Sequence, residues 1–597
     1  MSAASRPWMV LSLLAALLFF ATASSSAQTF SVIHDLNCAT DGCGDQQPIP
    51  LTQGRDGDLY GQMYSGGQNG YGTAWKVTPS GTFDVLWNFT FPASNNAFGG
   101  LTLALDGNFY GVDPFGGTNN VGYVFKLTPT GMFSIVYSFN NTTDGGYTGE
   151  PLTLGPDGNL YGLDGYNCYF YKITVATGAF SIVTKNCPQG GYYGLTLGAD
   201  GKFYGVTFNG GANNKGSVFN MTTAGKITTL HSFTGADGQN PVGLLVQASD
   251  GNFYGVTSQT STSSATGVLY KMTPSGAFTL LHTFNPDGSE GTNFAAGLVA
   301  ATDGNLYGVT QNGGATNGGT LFMSSRTGSV FNVVHSFDCS TDGCNNWVPL
   351  AQRTDGALYG VSMQGGTFNN GTIYKLTSPT FLPFVLVQNF EAPSPRTIDI
   401  LGTGLSGATA VDFGSIPATS FKVVSDTFMT AVVPPDAISA LVTVKTPTGT
   451  LSTLKKLVVP PTVTSFTPTS GSVGTVVTIS GTSFTGATKV TFGGVKATTF
   501  TVNSPIQITA TVPTSAVTGA IAVTTPSGTG SKKTFTVALK GRLQSDRSGA
   551  AVEPAMAAQV LWTDIFVYIY IANRESLAAA DFFSDDFNEM TLPFDNC

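Results

Sequence analysis

Charge is what this sequence has least of. Asp, Glu, Lys and Arg supply 10% of its 597 residues, against about a quarter in ordinary globular proteins. The little there is leans acidic, 26 basic against 35 acidic side chains, which leaves no basic surface for nucleic acid or anionic lipid. Histidine is scarcer still, with four copies. Long apolar runs are missing beyond the N terminus, so nothing downstream reads as a membrane-spanning helix. A G-x-S-x-G elbow, H-E-x-x-H, a phosphate loop and a unique close pair of carboxylates are also missing, so no catalytic signature stands out.

What the chain has instead is Gly, 75 residues of it, with plentiful Val, Thr, Phe and Tyr. That is the makeup of strands joined by tight turns. One short stretch organises it: DGNFYG at Asp106 returns in close copies at Asp56, Asp157, Asp200, Asp250, Asp303 and Asp355. Copies spaced at 43 to 53 residues mark a repeat architecture. Each period holds an apolar segment ending in the DG turn, an aromatic strand, a Gly/Asn loop, a third strand such as GYVFKLTPTG at Gly122, and a fourth such as FSIVYSF at Phe133. Apolar runs bounded by Gly, Pro, Asn and Asp read as strands.

Four strands per unit and seven units predict a seven-bladed β-propeller over residues 28–380, with an open solenoid as the competitor. FSVIHDLNCATDGC at Phe30 matches FNVVHSFDCSTDGC at Phe331, so the mature chain begins with a fourth strand that lacks its first three. That strand is expected to complete the last blade. The DG and PSG turns then share one face, and the long loops after the second and fourth strands share the other.

ILGTGLSGATAVDFGSIPATSF at Ile400 aligns without a gap to ISGTSFTGATKVTFGGVKATTF at Ile479. This offset of 79 predicts two tandem immunoglobulin-like β-sandwiches, residues 381–459 and 460–538. Residues 539–597 form an acidic tail belonging to neither repeat. At the other end Arg6, the apolar run from Met9 to Ala21 and the Ser25-Ser26-Ala27 site read as a secretory signal peptide, residues 1–27. The fold class is therefore all-β, and the expected location is secreted or at the cell surface.

Seven cysteines in an exported chain read as disulfides: Cys38 with Cys43, Cys339 with Cys344, Cys168 with Cys187, and Cys597 left over. Metal ligation is the competing reading, for which four intervening residues are a poor spacing.

The unit of DGNLYG, GG-x-x-N-x-G, GTVFKLTPSG-like and VLHSF-like pieces resembles the GloVer tandem repeat of bacterial exported proteins over roughly residues 30 to 380. The resemblance implies export and, often, surface attachment, and no settled activity. SFTPTSGSVGTVVTISGTSF at Ser465 resembles IPT/TIG domains, immunoglobulin-like modules of cell-surface proteins; the first copy departs from that pattern with NFEAPSPRTIDILGTGL.

His34, His231, His282 and His335 occupy one repeat position, filled elsewhere by Trp87, Tyr137 and Thr184. Recurrence where aromatics also serve predicts packing between blades, with hydrogen-bonded ring nitrogens. Asp41, Asp144, Asp237, Asp287 and Asp342 recur before Gly in the loop after the fourth strand. They could rim the long-loop face and bind calcium or sugar hydroxyls, or simply form the turn. No cofactor is expected, calcium aside. The leading functional expectation is an exported, non-enzymatic protein that binds an extracellular glycan or protein on the long-loop face. The alternatives are an extracellular polysaccharide hydrolase, lyase or lactonase using carboxylates of that face, and a structural envelope component.

Overall fold

The computed structural model describes residues 28–538 apart from 45–50, 91–97, 166–168, 189, 262–265 and 389–390. The signal peptide, the acidic tail, Cys168 and Cys597 lie outside the described residues. Those described form strands and turns, with no helix among them. Among them are seven four-stranded sheets between Thr29 and Thr377, here called blades 1 to 7 after the DG turns at Asp56 through Asp355. In blade 2 the strands are Phe98–Leu103, Phe109–Asp113, Tyr123–Leu127 and Phe133–Ser138, paired antiparallel in chain order.

Two local devices explain why this repeat makes this sheet. In the DG turn, Asp106 accepts from the Asn108 amide at 3.1 Å and from the Tyr110 hydroxyl at 2.9 Å. The carboxylate thus closes the turn and anchors the second strand at once. The same Asp–Tyr bond recurs in all seven blades at 2.6 to 3.3 Å. The Gly after that Tyr makes room: a Cβ on Gly111 would stand 2.5 Å from the Phe125 ring, so the third-strand aromatic lies flat across the sheet only over Gly.

Thr29–Asp35 pairs antiparallel with Thr372–Thr377, from Thr29 opposite Thr377 to Asp35 opposite Thr372. It is the fourth strand of blade 7, as the repeat alignment predicts. Seven core clusters each draw on two neighbouring blades, and one joins blade 7 to blade 1 through Val348, Tyr359, Leu59 and Trp75. The sheets therefore close into a ring, and the open solenoid is set aside. Each Phe or Tyr wholly buried there contributes about 1.5–3 kcal/mol. From blade 1 to blade 6 successive first strands contact one another, which places them nearest the axis.

Fourth strands form the rim, where the histidines stack. His335 lies on Phe30 (centroids 3.9 Å), His34 on Phe83 (4.5 Å), His231 on Phe278 (4.2 Å) and His282 on Phe331 (4.0 Å). Trp87 and Tyr137 do the same on Phe133 and Phe180. Each ring bridges to the next blade, which is why His, Trp and Tyr interchange at this position.

The remaining four sheets form two sandwiches. The first pairs Leu386–Val387, Thr397–Leu401, Phe428–Val432 and Ser420–Val423 against Ile416–Pro417, Ala410–Phe413, Val442–Thr446 and Gly449–Ser452. The second repeats this order from Thr462–Thr467 to Gly528–Val537 and adds Ser470–Gly471 at one edge. Each has its own core, around Ile400 and Val444 in one and Ile479 and Val523 in the other.

Candidate ligand-binding face

The two faces of the ring meet different fates. Arg55, in the DG turn of blade 1, donates to Asp399 of the first sandwich at 2.5 Å and to the Leu105 carbonyl at 2.8 Å. Its guanidinium lies 4.6 Å above the Phe428 ring. Burial raises the Asp399 carboxyl against the pull of Arg55. Thr427 donates to the Arg55 carbonyl at 2.7 Å, and Thr354 of blade 7 meets Thr403 at 2.9 Å. Leu401 and Phe428 belong to the core shared by blades 1 and 2. The first sandwich is thus seated on the DG-turn face, and the long-loop face lies on the other side.

On that second face, loops interlock. Cys43 exchanges backbone hydrogen bonds with Ser65 at 2.8 and 2.9 Å, and Cys344 donates to Gln364 at 2.7 Å. Disulfides Cys38–Cys43 and Cys339–Cys344 tie these loops, with Cα separations of 4.7 and 4.8 Å. Cys187 is also disulfide-bonded. Such bonds belong to an oxidising, extracellular compartment. No helix among the described residues is long and apolar enough to cross a membrane.

The loop carboxylates named from sequence stand here, and four of the five hold the rim rings. Asp41 meets His34 at 3.0 Å, Asp237 meets His231 at 2.9 Å, and Asp342 meets His335 at 2.7 Å. Asp144 accepts from the Tyr137 hydroxyl and from the Asn140 amide at 2.5 Å. Burial works to raise Asp237, but bonds from Thr234 and His231 hold it below the usual carboxylate range. Asp287 differs: it accepts from Ser289, and His282 is held by Glu290 at 2.9 Å. Repeat alignment missed this exchange because the loop of blade 5 sets its acidic partner three residues later. No group of three or more acidic, His or Cys side chains among the described residues is placed to hold a metal.

Sequence reasoning also passed over the places where this face leaves the repeat. Two residues before the conserved inner-strand Leu, the copies read Gly99, Glu150, Tyr193, Gly243, Ala296 and Val348. Glu150 is the one charge among them. It keeps a partly open surface yet is enclosed by protein, and that burial raises its carboxyl to about 8. Burial and the neighbouring Glu150 raise Tyr193 to about 12. Tyr193 packs against Phe208 (centroids 6.3 Å), and three residues before Glu150 in the chain Tyr147 packs against Phe115 (6.2 Å). Tyr147 is 42% exposed and has φ +58°, where Gly or Asn would be expected. The signal that could have found this group was difference between copies, which a search for likeness discards.

A family model described as the Gloeobacter/Verrucomicrobia repeat matches residues 18–169 and 164–374. The chain belongs to that family. Its Gloeobacter/Verrucomicrobia repeats are followed by an IPT/TIG domain matched over residues 461–550, and the first sandwich shares that domain's strand order. Propeller repeats joined to such a module make a surface or binding protein. No curated protein matches. Among solved structures, a streptogramin B lyase is similar at 14% identity and TM-score 0.42, covering 60% of this chain and 100% of its own. Virginiamycin B lyase from Staphylococcus aureus is similar at 17% identity and 0.42, covering 59% and 99%. The extracellular domain of a hybrid two-component system from B. thetaiotaomicron is similar at 12% and 0.40, covering 85% and 67%.

Proposed function

We propose that this chain is an exported binding protein that takes an extracellular glycan on the long-loop face, at the aromatic group around Glu150. The observation that carries the reading is the occupied DG-turn face: with the first sandwich seated there, the long-loop face is the face of the ring that stays open. Exposed rings beside a carboxyl suit a sugar, whose C–H face stacks on Tyr147 or Phe115 while its hydroxyls bond to Glu150. Asp41, Asp144, Asp237, Asp287 and Asp342 add negative charge to the same face, which suits further sugar hydroxyls. A protein ligand is the second partner class for the same face.

One observation favours the enzymatic alternative. A carboxyl raised to about 8 is protonated at neutral pH and can act as a general acid toward a polysaccharide or lactone. A glycan panel assayed for both binding and turnover separates the two. The binding reading expects retention without products, and a loss of at least about tenfold in affinity in Glu150→Gln and Tyr147→Ala. Turnover that Glu150→Gln abolishes would replace it with the enzyme reading.

A further inference from the structure

A cleft of about 750 Å³ opens where the DG turn of blade 4 meets both sandwiches, between Asp200, Glu391, Ser439, Val458, Ser483 and Thr485. Ser483 is the unusual wall. Its φ is +57°, in the left-handed region. Of the nine non-glycine residues described with positive φ, seven are Asn; Tyr147 and Ser483 are the other two. At an offset of 79 the first sandwich carries Gly404, with φ +77°, at this position. The turn itself therefore asks for Gly, and Ser accepts strain there. Its side chain gains nothing from the fold in exchange: Ser483 is 3% exposed and its hydroxyl has no hydrogen-bond partner. A buried polar group left unpaired beside a cavity calls for a partner from outside the chain.

The rest of the wall says what kind. Asp200 already holds Lys202 at 3.0 Å and Tyr204 at 2.9 Å, so its charge is matched. Glu391 faces Arg396, whose positive charge offsets its own, while burial raises its carboxyl. Lys456 also lines the cleft but stands exposed to solvent, which screens its charge, and Ser439 is already bonded to Ser527 at 2.7 Å and to the Val459 amide at 2.9 Å; the hydroxyls that remain are those of Ser483 and Thr485, beside aliphatic Val458. Hydroxyls and carboxylates already facing cations, set against aliphatic surface, suit an uncharged ligand rich in hydroxyls, and the volume suits a small molecule. We propose that this three-way junction is a second binding site, for a short neutral oligosaccharide, with Ser483 and Glu391 as its polar anchors. It is independent of the long-loop site.

The test is calorimetric titration of the full chain with cellotriose, xylotriose and mannotriose, and with triglutamate and spermidine as charged controls. At least one trisaccharide is expected to bind and neither control to do so. Thr485→Trp, on the exposed lip, should abolish that binding, and Tyr147→Ala on the far face should leave it unchanged. Ser483→Gly should lower affinity at least fivefold while holding or raising the melting temperature. No trisaccharide binding, binding of a charged control instead, or binding that Thr485→Trp leaves intact would overturn the site. A Ser483→Gly protein that melts lower at unchanged affinity would return Ser483 to a structural role and overturn its part in the site.

Discussion

The two faces of this propeller are built from the same seven repeats, and they keep to them with different strictness. On the DG-turn face every blade sets the same Asp–Tyr bond. Arg55 and Arg353 are the only charged residues at the two positions before those Asp. Arg55 grips the sandwich, while Arg353 donates across the blade 7–blade 1 seam to the Gly57 carbonyl at 2.6 Å. On the long-loop face departures are frequent: Glu150 where the other copies carry uncharged residues, Tyr147 at positive φ, Glu290 in place of Asp287. Repetition marks what the ring needs to fold. Departure marks where something other than the ring is served, a docking sandwich on one side and, in the proposed reading, a ligand on the other.

That contrast can be broken at several depths. Deleting residues 28–37 removes the fourth strand of blade 7 and the Phe30–His335 stack, and leaves an unpaired edge. The melting temperature should fall by roughly 10 °C or more, read by calorimetry; an unmoved transition would deny that this strand closes the ring. Next in size, Arg55→Ala strands the half-buried Asp399 carboxylate and removes the ring contact to Phe428. It should cost about 3 kcal/mol and split sandwich unfolding from that of the propeller in denaturant melts.

Glu150 gives a pH signature. Its carboxyl titrates near 8 in the fold against an ordinary 4.5, so above 4.5 the unfolded chain releases a proton that the native state keeps. The stability this group contributes is whole below about pH 4.5, drains away between 4.5 and 8, and is gone above. Glu150→Gln should flatten that segment and exceed the parent by about 1–3 kcal/mol at pH 8.5, in urea melts at pH 5 and 8.5. The smallest effect separates neighbours in one loop: Glu290→Ala, which unseats His282, should cost about 1 kcal/mol, and Asp287→Ala should leave the midpoint where it was.

Much of the ring was readable in the chain because its signals are local and repeated. The DG turn, the Gly beneath each third-strand ring and the match of Phe30 to Phe331 all show in a few adjacent letters. The partner of His282 did not, since loop length decides which acid reaches the ring and Asp287 carries the commoner motif. Nor did Glu150, a single letter whose environment is assembled from blades 2 to 4 and whose raised carboxyl exists only once those blades enclose it. The junction cleft was further still from view, because its walls come from three domains and Ser483 looks ordinary until its φ is set beside that of Gly404.

The closure of the ring joins residues up to 348 positions apart in the chain, so no part of it forms until most of the ring is already laid down. It is fastened twice. Thr29–Asp35 laces the rim, while Gln53 bonds to Thr354 at 2.9 Å near the axis, and the first sandwich holds Arg55 on one side of the join and Thr354 on the other. The oldest segment of the folded chain and a later one thereby act as two halves of a clasp. A ring without its sandwich would keep the lace but lose the buckle, and its amide protons would exchange first along that one radius.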